Sequence, residues 1–343
     1  MAFCTKCGAE VDQAAPYCSR CGAQASETLV RRFQVHTEGA SLLGLYLVMF
    51  LLSILTLGIY SFWGRTNIRR YVAGTIEFEG DRFAYHGTGG ELFRGFLKAV
   101  GVLILLYLQV FLWVLVAGRT AGSILGILVL YIAVLCLIPY ALVGTWRYRL
   151  SRTSWRGIRF AFRGTAGDLF PIYLKGALLT LVTLGFYSPF FMNNLRRFLF
   201  RHAWYGNARF DYDGEGRDLF GDYLIGALAA IPTLGLTMIW FYTRRFNYYW
   251  SRTSFVGARF QAGMTFGGLF GLMITNVLLV IFTLGIAIPW AQVRAMRYIA
   301  SNITLHGALD LAAIERRAAA ATATGDEIST MLETDAGDVG LGL

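Results

Sequence analysis

Four cysteines near the start of the chain have a spacing that can do chemistry. Cys4-Thr5-Lys6-Cys7-Gly8 and Cys18-Ser19-Arg20-Cys21-Gly22 are two Cys-x-x-Cys-Gly knuckles separated by ten residues. Cys4, Cys7, Cys18 and Cys21 can converge as thiolates on one tetrahedral ion, and Gly8 and Gly22 permit the positive φ that turns backbone amides toward sulfur. One zinc is the expected occupant, in preference to a redox dithiol pair. With cysteine at all four positions no coordination site is left for water or substrate, so the expected role is structural. Reduced thiols place this module on the cytosolic side. Cys136 lies inside an apolar segment and reads as a small buried side chain.

No other constellation carries chemistry with comparable force. Lys98 and Lys175 occupy equivalent places early in two apolar segments, where ionisable groups are candidates for a translocation route unless they snorkel to the segment end. Gly87-Thr88-Gly89-Gly90 precedes an apolar helix as a phosphate loop would, but Glu91, Asp168 and Asp218 stand at the helix starts and would repel phosphate, which favours capped turns. His36, His86, His202 and His306 are dispersed, without metal-ligand spacing. Ser151-Arg152-Thr153-Ser154 and Ser251-Arg252-Thr253-Ser254 repeat without a histidine repeating beside them, so nucleophilic catalysis has little support. The expectation is a protein that is not an enzyme.

The elements that position these residues repeat. Thr183-Leu184-Gly185 returns at Thr233-Leu234-Gly235 and Thr283-Leu284-Gly285, a period of 50 residues, with a first copy at Thr56-Leu57-Gly58. Arg-Phe pairs at Arg159-Phe160, Arg209-Phe210 and Arg259-Phe260 keep the step; the copy at Arg82-Phe83 lies 77 residues before the next, so 27 residues are inserted there. Trp63, Tyr140, Phe190, Trp240 and Trp290 are in register, and Arg70, Arg147, Arg197 and Arg297 follow seven residues later, with Asn247 in the fourth unit. Such repetition defines one structural unit: an apolar helical stretch that breaks near its glycine and proline, a basic aromatic stretch, and a short alternating strand.

Composition makes this a membrane protein. Residues are 56% hydrophobic and 15% charged, and the mean hydropathy is +0.51. Six apolar segments, near 41–62, 95–117, 123–144, 171–191, 220–242 and 270–291, approach the length of a spanning helix. The first follows a hydrophilic head and is no cleavable signal. The net charge of +10 comes from arginines at segment ends among Trp and Tyr, a headgroup-interface pattern rather than a nucleic-acid one. Arg70, Arg147, Arg197 and Arg297 are the expected contacts for anionic lipid. Connectors 63–94, 145–170, 192–219 and 243–269 hold five, six, five and four arginines. Single spans would put the first, second and fourth outside, against the positive-inside bias. Hairpin insertions that enter and leave on the cytosolic face, with 95–144 as a true pair of spans, would keep every connector inside. Their two arms of about twelve residues would reach only about 18 Å, however, and the turn would need burial within protein. Both arrangements leave the termini cytoplasmic.

Two resemblances cover the chain. Residues 3–24 are similar to the short zinc-ribbon modules of prokaryotic proteins. Residues 33–306 resemble the YjgN-like family of bacterial inner-membrane proteins, through Leu55 to Tyr60 with Trp63, Arg69 to Tyr71, Phe186-Tyr187-Ser188-Pro189, and Pro289-Trp290 with Arg294, Arg297 and Tyr298. The second unit departs from the pattern, with Ile138-Pro139-Tyr140 and no Thr-Leu-Gly, and the fourth lacks the proline. The resemblance implies an inner-membrane location and supplies no catalytic residue. The expected fold is an all-α integral membrane protein with short interfacial strands: zinc ribbon 1–24, linker 25–40, multi-pass domain 41–306 and an acidic, disordered tail 307–343. The expected function is a membrane-embedded scaffold or regulator whose ribbon docks a cytosolic protein, with a transporter or channel for a small solute as the alternative.

Overall fold

The computed structural model describes residues 2–4, 7–11, 17–22, 29–307 and 309. Short alternating segments between the apolar stretches form strands. β1 (Ala2–Cys4) and β2 (Glu10–Val11) belong to the N-terminal module. The rest are β3 (Leu29–Val35), β4 (Ile76–Phe78), β5 (Asp81–Tyr85), β6 (Thr153–Trp155), β7 (Ile158–Phe162), β8 (Ala203–Tyr205), β9 (Ala208–Tyr212), β10 (Thr253–Phe255), β11 (Ala258–Ala262) and β12 (Ile303–His306). Each pairs antiparallel with the next, and β12 pairs back onto β3, with Thr304 opposite Arg32. The ten strands β3 to β12 are therefore a closed barrel without free edges. β1 pairs with the start of β3, which ties the cysteine module to the barrel.

This barrel overturns the all-α expectation. The strands pair with partners up to a whole repeat away in sequence, and the closing pair joins the two ends of the domain. The stretch 25–40, read as a linker, contributes β3, and the tail beyond Leu309 lies outside the described residues.

At one barrel end, two-residue turns join strands within a unit. Glu79-Gly80, Arg156-Gly157 and Val256-Gly257 hold both residues at positive φ, as type I′ hairpins require. At the other end each connection is a helical hairpin. The helices are α1 (Gly39–Leu55), α2 (Ser61–Thr75), α3 (Gly89–Ala117), α4 (Arg119–Ser151), α5 (Ala166–Val182), α6 (Ser188–Arg201), α7 (Gly216–Leu228), α8 (Leu236–Ser251), α9 (Phe266–Phe282) and α10 (Ile288–Ser301). Antiparallel alternation forces all five hairpins to leave the barrel from the same end. Each packs its second helix on the first helix of the next, and α10 packs on α1, so the helices close a second ring above the strands.

Thr-Leu-Gly makes the hairpin tip. The Thr183 hydroxyl donates to the Leu179 carbonyl and accepts from the Tyr187 amide, so one side chain serves the end of α5 and the approach to α6. Leu184 and Gly185 are both left-handed, and the Gly185 amide donates 2.7 Å back to the Thr180 carbonyl. Thr56, Thr233 and Thr283 do the same. The exposed backbone of the reversal is thus bonded internally, the condition for chain within hydrocarbon. Leu57, Leu184, Leu234 and Leu284 are 89% to 95% exposed and strained at φ near +50°.

The segments near 41–62, 171–191, 220–242 and 270–291 are therefore hairpins, entering and leaving from one side. α1, α5 and α9 have 17 residues each, about 25 Å at 1.5 Å per residue. Only α3 with 29 residues and α4 with 33 are, among the described residues, long and apolar enough to cross a membrane. They pack closely at Gly122 and Gly126, where a Cβ would meet Trp113, Val114 and Val110 backbone, and Gln109 donates to the Gly126 carbonyl. Their tip is Gly118-Arg119, polar where the others are apolar.

Candidate functional site

The cysteine module has the geometry of a metal centre. Cys4 and Cys21 sulfurs lie 3.5 Å apart, Cys7 and Cys18 3.7 Å, and all four within 4.8 Å of one another. A tetrahedron with zinc–sulfur bonds of about 2.3 Å has edges of about 3.8 Å, so the four sulfurs fit one zinc ion. Gly8 and Gly22 have φ of 69° and 68° and donate to the Cys4 and Cys18 carbonyls, closing each knuckle. Backbone amides of Arg20 and Cys21 hold the Cys18 thiol below its ordinary value, favouring the thiolate.

The repeated arginines join units. One guanidinium nitrogen of Arg70 donates to the Gly87 carbonyl, of Arg147 to Gly164, of Arg197 to Gly214 and of Arg297 to Thr37, each at the root of the next hairpin. Asn247 replaces the arginine in the fourth unit by bonding both the carbonyl and the amide of Met264. The last of these contacts spans the ring closure. Thr88, Thr165 and Thr265 cap the helices that follow, Thr88 forming a reciprocal box with Glu91, so the glycine-rich loop is a capped turn.

Lys98 and Lys175 stand on different hairpins, and neither lines the barrel interior. Lys175 shares a groove of about 360 Å³ between α5 and α6 with Asn194, Arg197, Arg201 and His202. Asn276, another polar group within an apolar segment, donates across its hairpin to the Ala291 carbonyl. The histidines stay dispersed: His36 meets Glu77, His202 the Phe198 carbonyl and His306 Thr304. One pairing escaped the sequence, because it crosses from one unit to the next. His86 Nε2 lies 2.8 Å from Ser154 Oγ. Ser154 is buried, and among the described residues no carboxylate bonds His86 in the manner of a triad.

The barrel interior holds a second arrangement. Every strand from β3 to β12 turns one large apolar side chain inward: Phe33, Phe78, Phe83, Trp155, Phe160, Tyr205, Phe210, Phe255, Phe260 and Leu305. They sit opposite one another in the register pairs Phe33 with Phe78, Phe83 with Trp155, Phe160 with Tyr205, Phe210 with Phe255 and Phe260 with Leu305. Ring centroids 4.5 to 6.3 Å apart form a belt. The Arg-Phe signature is now explained: phenylalanine faces in and arginine faces out. Ten strands enclose more space than one side chain each can fill. A cavity of about 290 Å³ remains, its lining wholly apolar and its helix-side rim made by Trp146, Leu150, Phe200 and Trp250.

Arg196 packs against two residues of that rim, Phe200 and Trp250. Its guanidinium carbon lies 4.1 Å from the Phe200 ring centre, 4.7 Å from Tyr249, 5.4 Å from Tyr212 and 5.7 Å from Trp250. Nε and Nη2 are buried without a hydrogen-bond partner, and no carboxylate pairs with it among the described residues. Burial lowers its pKa to about 10, so it stays charged at neutral pH.

A family described as bacterial protein of unknown function (DUF898) matches residues 30–234 and 222–331, and a zinc-ribbon domain matches residues 3–24. Inner membrane protein YjgN of Escherichia coli O157:H7 is 28% identical over 47% of this chain and 38% of its own length. The protein of the same name from Salmonella typhimurium is 31% identical over 37% of this chain and 30% of its own. The chain thus spans well under half the length of these curated relatives. No solved structure matches.

Proposed function

We propose, for a chain that belongs to the DUF898 family of bacterial proteins, that it is a membrane-embedded scaffold or regulator seated on the cytosolic leaflet. Its relatives are named inner membrane proteins, and a membrane location follows for this chain. The barrel and ribbon lie in the cytosol, four short hairpins dip into the bilayer, and α3 and α4 cross it. The observation that carries this reading is the set of tips. A strained leucine exposed to water would cost twice, in backbone energy and in hydration, whereas in lipid the second cost becomes a gain. With every hairpin leaving the same barrel end, all four arginine-bearing connectors fall on one side, in accord with the positive-inside bias.

Anionic lipid headgroups are the partners for the root groove, where Lys175, Arg197, Arg201 and His202 converge. The ribbon, paired to β3 through β1, is a protein-docking module held beside the membrane. A transporter would need a polar route, and the barrel lining offers none. Topology mapping with a membrane-impermeant thiol reagent tests the arrangement, in a Cys136→Ser background. Arg119→Cys should react in intact cells, Asn207→Cys only after the membrane is opened, and Leu184→Cys in neither. Labelling of Asn207→Cys from outside would defeat the reading.

A further inference from the structure

We infer that the barrel cavity and Arg196 together form a binding site for one acyl chain of an anionic amphiphile, with the chain in the barrel and the carboxylate or phosphate head on Arg196. The inference stands on the cavity and the guanidinium, whichever side of the membrane the barrel occupies.

Two observations meet at one place. The cavity has no polar lining and about 290 Å³ of space, roughly twice the size of an engineered cavity of about 150 Å³ that stays dry and takes benzene. It therefore suits one hydrocarbon chain of about a dozen carbons and disfavours water. Phe200 and Trp250 belong both to its rim and to the cage around Arg196. A half-buried cation whose Nε and Nη2 are shielded and which lacks a carboxylate is costly unless something compensates it, and aromatic faces do so only in part. An anionic head entering beside the rings would accept charge-assisted hydrogen bonds from Nε and Nη2.

The repeat shows that this arrangement is local. Positions equivalent to Arg196 hold Arg69, Trp146, Phe246 and Met296, so a charge is not needed to build the unit. Equivalents of Ala203, which lines the cavity, include Ile76 and Ile303. Arg196→Met and Ala203→Ile thus install residues the same fold already carries elsewhere. One removes the cation and the other fills the chain site.

The test uses the full chain in lipid nanodiscs with two photoreactive probes: a twelve-carbon fatty acid with a diazirine near its methyl end, and a phosphatidylglycerol with the same acyl chain. Labelled residues are mapped by peptide mass spectrometry, and thermal melting verifies that each variant is folded. Labelling is expected on Tyr205, Phe210 and Phe255, competed by dodecanoate and not by dodecylamine. Arg196→Met should reduce it about tenfold to a hundredfold, the range for a charged hydrogen bond, and Ala203→Ile should reduce it as well. Barrel labelling by the fatty acid alone assigns a free acid, and labelling by the phosphatidylglycerol probe assigns a membrane lipid. If neither probe labels the barrel, or both folded variants label like the parent, the site is overturned.

Discussion

Closure of the barrel between β3 and β12 can be tested by a covalent bridge. Arg32 and Thr304 are Cα partners on these strands, and their side chains lie on the outer face, opposite in phase to Phe33 and Leu305. Directly opposed residues in an antiparallel pair have Cα atoms about 4.5 or 5.5 Å apart, within the 4.4 to 6.8 Å range that a disulfide accepts. Arg32→Cys with Thr304→Cys should therefore oxidise to a bridge without moving the backbone. The bridge closes a loop of about 270 residues, for which the chain-entropy relation gives about 5 to 6 kcal/mol of stabilisation. Engineered bridges often return less. Half of that, at about 2 to 4 °C per kcal/mol for a large domain, is a rise of about 6 to 12 °C in melting temperature that reductant should abolish. The assay is a non-reducing gel and a mass-spectrometric search for the cross-linked peptide, followed by melting with and without reductant. Gln261→Cys with Thr304→Cys, partners across β11 and β12, serves as the control pair. If the control bridges and the closing pair does not, the sheet is open and the ten-stranded barrel is wrong.

Purified protein should carry about one zinc per chain by elemental analysis, and Cys18→Ala should lose it; four reactive thiols in the parent protein would defeat the assignment. Trp155→Ala should destabilise the chain by about 3 to 5 kcal/mol in denaturant titration, because Trp155 is buried in the belt and donates to the Asp81 carbonyl; a loss below about 1 kcal/mol would mean the belt is not the core. Leu184→Gly should stabilise the detergent-solubilised protein by about 1 kcal/mol by relieving a left-handed leucine, yet make it easier to extract from membranes. If extraction is unchanged, the tip does not sit in lipid.

The parts of this structure that could be read from the sequence are those whose signals are local. Four cysteines within eighteen residues declare a metal site because nothing intervenes between the ligands. Thr-Leu-Gly marks the tips, although its function there, a threonine serving both helix ends, needs the hydrogen bonds to be seen. The strands were visible as alternation but too short to announce a barrel. The Arg-Phe half of the belt repeats in sequence, whereas its other half is Phe78, Trp155, Tyr205, Phe255 and Leu305, five positions of changing identity in which only size and apolarity persist. Arg196 was hidden for a related reason. Only two of the five units carry arginine at that position, so the residue reads as one more basic connector and not as a charge held among aromatic rings.

The 27 inserted residues of the second unit follow from the same architecture. Each hairpin is fixed at its root by two strands and by an arginine, or Asn247 in the fourth unit, bonded to the next unit, and Arg147 still reaches the Gly164 carbonyl as Arg197 reaches that of Gly214. Extra length can therefore be accommodated only toward the tip, where it adds about 20 Å per arm if shared equally. That is close to the difference between an arm that ends within a bilayer of about 30 Å and one that emerges beyond it. The tip chemistry changes accordingly: a leucine that favours hydrocarbon gives way to Gly118 and Arg119, which favour water. A lengthened hairpin with an apolar tip, or a short one with an arginine at its apex, would contradict this account. Among the described residues the five hairpins include neither, so tip composition and arm length vary together, as expected if a membrane surrounds them.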